Sequence, residues 1–251
     1  MKPRTSFALG AMLVAAFFSS CSQQPSSMAP AQADSVSPSP AKERSGLATG
    51  WGDEKRAKTR QVGFTRSSSK PAGTDVVYYN DPAGIDGMSS RPRKVSGAQT
   101  AAGNMVEWGI KGGFGFLPTY KENGYGRRLV AGKKGSDYSI YIKNRTKSRL
   151  EIVASVDGLD VQDGKTANFA KRGYIIEPGD FLEIEGFRTS QNSIAKFEFS
   201  NVSNSYANLK YGDTRNVGVI GIAVFTEKGS NPWVSPEGQK RGDAQAFATA
   251  P

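Results

Sequence analysis

Between residues 111 and 228 apolar and polar positions alternate with a period of two. Leu150, Ile152, Ala154 and Val156 alternate with Arg149, Glu151 and Ser155, the pattern of a strand with one buried face. Tyr138, Ile140 and Ile142 alternate in the same way with Ser139, Tyr141 and Lys143. Ala195, Phe197 and Phe199 alternate with Lys196, Glu198 and Ser200, and Leu182 and Ile184 with Glu183 and Glu185. Residues 217–225 are apolar at both parities, which predicts a central strand covered on both sides, with Gly218 and Gly221 allowing close approach. Asn123-Gly124, Asp157-Gly158 and Asp163-Gly164 mark tight turns. Pro178-Gly179 links Gly173-Tyr174-Ile175-Ile176 to Phe181-Leu182-Glu183-Ile184 as a type II turn does. Short strands, frequent turns and no long helical period predict an all-β, antiparallel sandwich over 111–228.

The flanking pattern is weaker. Residues 46–110 hold the glycine-rich run Gly46-Leu47-Ala48-Thr49-Gly50-Trp51-Gly52 and one β-prone run, Val76-Val77-Tyr78-Tyr79, closed by Asn80-Asp81-Pro82. They read as an extended basic arm with few strands, which either packs on the main domain or orders on meeting a partner. Residues 21–45, rich in Ser, Gln, Pro and Ala, read as a flexible tether. The tail 229–251, whose large aromatics are Trp233 and Phe247, reads as disordered.

Residues 1–20 carry Lys2 and Arg4 and then an apolar run from Phe7 to Phe18, the form of a signal peptide. The run is too short for an ordinary membrane-spanning helix of about 20 residues. Phe18-Ser19-Ser20-Cys21 resembles the bacterial lipobox, with Phe18 where that family usually has Leu. The resemblance implies cleavage before Cys21 and its lipidation, so that the exported chain is anchored through acyl groups. By resemblance to the sorting rule of enteric bacteria, Ser22 after the cysteine implies the outer membrane, facing the periplasm or the surface. One acyl chain binds reversibly and stable anchoring takes two or more.

Composition narrows the chemistry. The 251 residues are 37% apolar, with 29 glycines and 13 prolines, and carry a formal charge of +10. Losing Lys2 and Arg4 with the signal leaves +8. Such a surface favours anionic partners, and the export signal directs the choice to envelope proteins, anionic glycan or lipid rather than nucleic acid. There is no histidine and one cysteine. Ser-His-Asp, Cys-His and His-ligated zinc chemistry are therefore excluded, as are disulfides within the chain. No cofactor and no metal site are expected.

Five groups of residues remain as candidates. Ser-x-x-Lys occurs at Ser67–Lys70 and Ser193–Lys196, but Lys165-Thr166 and Ser190-Gln191-Asn192 stand in the wrong order for a penicillin-binding serine enzyme. Asp157, Asp160 and Asp163 lack the alternate acids of a calcium loop and read as turn formers. Glu177, Asp180, Glu183 and Glu185 supply enough carboxylates for a glycosidase pair, without a spacing that fixes one. Phe114, Phe116, Tyr120 and Tyr125 offer either a ligand surface or the filling of a sandwich end. Lys55, Arg56, Lys58 and Arg60 are candidates for contact with an anionic surface.

Val156-Asp157-Gly158-Leu159-Asp160-Val161, Arg172-Gly173-Tyr174-Ile175, Pro178-Gly179, Ile184-Glu185-Gly186-Phe187-Arg188, Phe197-Glu198-Phe199, Ser205-Tyr206-Ala207 and Asn216-Val217-Gly218-Val219-Ile220-Gly221 resemble a bacterial envelope family of unassigned function. Residues 46–51 and Tyr78-Tyr79-Asn80-Asp81 are similar to its upstream part. The likeness covers about two-thirds of the chain and implies a shared fold, with no activity attached to any residue. The sequence thus points to a non-enzymatic lipid-anchored envelope protein, a binding or scaffolding module. The competing class is a glycan-binding module or a glycan-acting enzyme dependent on carboxylates. Cys21→Ser is expected to leave export intact and to abolish incorporation of labelled fatty acid; undiminished label would refute the anchor.

Overall fold

The computed structural model describes residues 44–245. The signal segment, Cys21, all but the last two residues of the tether, and Phe247 lie outside the described residues. In chain order the elements begin with β1 (Leu47–Arg56), β2 (Gly73–Asn80), helix α1 (Pro82–Met88), β3 (Arg93–Val95), β4 (Ala98–Ala101) and β5 (Val106–Gly112). There follow β6 (Gly115–Phe116), β7 (Thr119–Lys121), β8 (Arg128–Ala131), β9 (Asp137–Asn144), β10 (Leu150–Val156) and β11 (Leu159–Asp160). The last are β12 (Tyr174–Ile176), β13 (Phe181–Ile184), β14 (Gly186–Arg188), β15 (Ser193–Asn201), α2 (Tyr206–Tyr211), β16 (Val219–Thr226) and α3 (Pro236–Gly242).

These strands form two facing sheets, and the fold is an all-β sandwich. The first sheet has the order β1-β15-β9-β5-β4, with β14 beside β15, β13 beside β9 and β6 beside β5. The second has the order β11-β10-β16-β2-β8-β7-β3, with β12 beside β10. Pairing is antiparallel except between β2 and β8, where Tyr78–Asn80 run parallel to Leu129–Ala131. The alternation expected in β9 and β15 is what buries Tyr138, Ile140, Ile142, Ala195, Phe197 and Phe199. All of these but Ala195 meet Ile152, Ala154 and Val156 of β10 and Ile220, Ile222 and Val224 of β16 in one core that also encloses Trp108.

Three expectations need correction. Residues 46–110 are not an arm: they supply β1, β2 and most of β5, integral to both sheets, and a domain boundary at 110/111 falls inside β5. The physical reason is that their apolar residues complete the core; Leu47, Val77, Tyr79, Val106, Trp108 and Ile110 are all buried. Second, β10 is covered on both faces, with Glu151 and Val153 buried as well as Ile152. The segment after β1 crosses to the second sheet and lays Arg66 on its outer surface, 3.6 Å above the Phe225 ring and 2.6 Å from Glu151 Oε2. Third, residues 229–245 are partly tied down: the Lys147 amide donates to Pro232 and the Ser148 hydroxyl to Asn231, and α3 follows. The Pro178-Gly179 turn, with Gly179 at φ 73°, carries the chain from β12 in one sheet to β13 in the other.

Each large core side chain contributes about 1.5–3 kcal/mol by burial. Loss of the six named above rivals a whole domain's net stability of about 5–15 kcal/mol. A fragment of residues 111–228 is therefore expected to stay unfolded, while residues 44–245 give a β-type circular dichroism spectrum with a cooperative melt. A cooperative melt of the shorter fragment would contradict this.

Candidate functional site

Asp157 and Gly158 form the two-residue turn between β10 and β11, with φ of 54° and 81°. Both central residues of this turn type need positive φ, which Asp-Gly tolerates. The turn delivers the Asp157 side chain into the end of the core, where the carboxylate accepts from the Thr49 amide at 2.8 Å, the Tyr79 hydroxyl at 2.7 Å and the Gly218 amide at 2.9 Å. Thr49 Oγ1 in turn lies 2.8 Å from the Tyr79 hydroxyl and 2.6 Å from that of Tyr138. A single direction satisfies every group: Tyr138 donates to Thr49, Thr49 to Tyr79, and Tyr79 to Asp157. Burial pushes Asp157 up to about 6, while its hydrogen bonds pull it down. Burial, and then the charge of Asp157, push Tyr79 and Tyr138 well above the usual phenol range. All four residues are at most 4% exposed, so this site binds together structure and has no access for a substrate.

Elsewhere the singled-out residues are dispersed. Asp160 is buried and accepts from the Gln162 amide, and Asp163 accepts from Lys171 and the Lys165 amide. Among the described residues no three acidic side chains converge to hold a metal ion. Ser67 bonds Thr226 and Ser193 bonds Thr189, while Lys196 pairs with Asp137, so neither Ser-x-x-Lys forms a unit. Glu183 accepts from Ser139 at 2.6 Å and Lys111 at 2.9 Å. Partial burial raises its pKa, but those two bonds outweigh it and hold Glu183 below the usual range. Glu185 is paired with Lys55 at 2.7 Å.

The four aromatics do not form one surface. Phe114 stands fully exposed at the β5–β6 hairpin, and Tyr125 at the β7–β8 turn is 87% exposed. Tyr120 packs on Ile85, Leu129 and Ala131. Phe116 lies edge-on to Tyr141 at 5.5 Å, and Tyr141 stacks with Phe181 at 5.6 Å. This row across β6, β9 and β13 was not legible in sequence, because Phe181 is 65 positions from Phe116. Of the basic candidates, Lys55 is matched by Glu185, whereas Arg56, Lys58 and Arg60 are exposed. Outside these groups, a hollow of about 490 Å³ lies on the outer face of the second sheet, floored by Val76, Val153, Ser155, Gly221 and Ala223 and walled by Phe169. Compared with known proteins, the chain matches no family model, no curated protein and no solved structure.

The pKa of Asp157 bears on stability. A carboxyl raised in the fold favours folding fully below its unfolded pKa, and this contribution is lost as pH rises through the folded value. From about pH 4 to about 6 unfolding free energy is thus expected to fall by about 2–3 kcal/mol on account of this one group. Asp157→Asn should flatten that slope in urea unfolding between pH 4 and 7, and an unchanged slope would assign it elsewhere. Asp157→Ala strands three donors at about 1–3 kcal/mol each and should lower the melting point far more.

Proposed function

We propose that the chain is a lipid-anchored, non-enzymatic envelope protein whose β-sandwich serves as a binding or scaffolding module. The observation that carries this reading is how the side chains are used. The surface carboxylates Glu183 and Glu185 are matched by Lys111 and Lys55, and the carboxyls with raised pKa, Asp157 and Asp160, are buried. A glycosidase needs two accessible carboxyls with opposed pKa values across a cleft. By contrast, Phe114, Tyr125, Arg56, Lys58 and Arg60 are exposed, and exposed aromatic and cationic groups suit recognition. The partners proposed are an envelope protein or an anionic glycan, with the membrane engaged through lipid on Cys21.

Glycan binding is the second reading, favoured by the Phe116-Tyr141-Phe181 row, since the exposed rings of Phe116 and Phe181 offer apolar surface to a sugar. Two measurements separate the classes. A photo-crosslinking residue in place of Phe114 or Lys58 is expected to give a discrete adduct in intact envelopes. Purified protein is expected to release no reducing ends from envelope glycan. Reducing ends released by the parent and absent in Glu183→Gln/Glu185→Gln would replace the module by an enzyme.

A further inference from the structure

Strand register gathers three cations that the sequence keeps apart. Pairing of β3 with β7 sets Arg93 opposite Lys121, and pairing of β7 with β8 sets Lys121 opposite Arg128. Residues directly opposite in antiparallel strands share a face, with Cβ atoms about 4.5–5.5 Å apart, and like charges placed so are destabilising. Two such pairs in succession call for an anion. Among the described residues none is in place: neither Arg93 nor Lys121 forms an ion pair. The neighbouring acid, Glu122, is held by Arg127 in a two-pronged pair at 2.5 and 2.6 Å. Asp75 attracts Arg128 but already accepts from Trp108 Nε1 at 2.7 Å.

The deep end of the row has donors to spare. Arg128 donates through one amino group to the carbonyls of Ser96 and Ala98. Its Nε is buried without a partner, as is Nε2 of Gln99, next along β4 from Ala98. The open end of the row is a recess of about 280 Å³, lined by Arg93, Lys121, Glu122, Asn123, Gly124 and Gly126. Gly124 and Gly126 shape its rim, with φ of 94° and 71° in the left-handed region.

We propose that this recess, between the 123–126 turn and the Arg93-Lys121-Arg128 row, binds a phosphate group. Charge selects the ligand. Arg93 and Lys121 line the recess and its one acid, Glu122, is neutralised by Arg127, which leaves a surplus of two; a phosphate monoester carries about −1.5 to −2 at neutral pH. The planar guanidinium fork of Arg93 matches phosphate oxygens, with Lys121 adding a point charge. Free phosphate and a phosphorylated lipid headgroup share this chemistry. The site goes beyond the module reading above, and it requires neither the anchor nor residues 55–60.

The test uses the full chain carrying Cys21→Ser, so that no acyl group contributes, at fixed ionic strength. Inorganic phosphate is titrated calorimetrically. Co-sedimentation compares phosphatidic acid in phosphatidylcholine vesicles with phosphatidylcholine alone. Saturable phosphate binding, at least tenfold weaker in Lys121→Gln and in Arg93→Gln/Lys121→Gln but unchanged in Lys240→Gln on α3, supports the site with free phosphate sufficient. Binding only to phosphatidic acid vesicles, lost in the same variants, supports it with the headgroup as source. No phosphate response together with no excess sedimentation overturns it, as does equal binding by parent and variants. In phosphate-free buffer of low salt the double variant is expected to melt above the parent. A lower midpoint would make the row structural and would likewise overturn the proposal.

Discussion

A carboxylate enclosed between two sheets has to be met by donors from several sides, and Asp157 is met from β1, β2 and the segment before β16. Through Thr49 and Tyr138 the same chain of hydrogen bonds reaches β9 of the opposite sheet. Apolar packing between sheets is tolerant of small slides, whereas a buried polar network is satisfied in only one arrangement. Asp157 therefore fixes the relative placement of strands that the core by itself leaves approximate. The donors also explain Gly218, which presents its amide at φ 87° with a missing Cβ 3.3 Å from the Tyr79 carbonyl.

A second polar anchor secures the outer face. Arg66 bonds Glu151 and the carbonyls of Phe169 and Lys171, and Glu151 accepts from the Gly173 amide at 2.7 Å. Glu151 is 1% exposed and Arg66 13%. Removing one partner of such a pair leaves a buried charge, at a cost of about 3–5 kcal/mol. The pair binds the crossing segment after β1 to the loop before β12, and converts the outer side of β10 and β16 from a solvent face into a covered one. At the other sheet, β1 is a long edge strand, which invites pairing with another chain. Its register shift between Trp51 and Glu54, its charged end Asp53-Glu54-Lys55-Arg56, and the packing of Trp51 on Tyr206 at 4.5 Å all oppose such pairing.

The surface divides into two electrostatic kinds. Outside the first sheet, acids and bases alternate and neutralise one another, as in Lys111 with Glu183, Lys55 with Glu185, and Lys196 with Asp137. On β3 and β7 that matching fails for Arg93 and Lys121, and the cations of neighbouring strands face each other. Exposed ion pairs contribute little to stability, so the first pattern speaks mainly of solubility and of register. Unmatched charge in register has no comparable structural use, and this directs attention to the second region as a place of recognition.

The sequence by itself determined the local elements. Period-two alternation in β9, β13 and β15, the doubly apolar run of β16, and the turns at Asp157-Gly158 and Pro178-Gly179 follow from side-chain direction and backbone φ, which are local properties. It did not determine which strand lies beside which. Residues 46–110 look sparse because β1 and β2 are interrupted by glycine and charge, yet a strand needs only Leu47, Val77 and Tyr79 to join a core built elsewhere. Likewise Arg149, Glu151 and Ser155 predict a solvent face, and only the return of Arg66 from 85 positions away covers Glu151. Arg93, Lys121 and Arg128 become neighbours through pairing register alone. Register is set by the sum of long-range packing, and no window along the chain contains it; only the tertiary structure decides it.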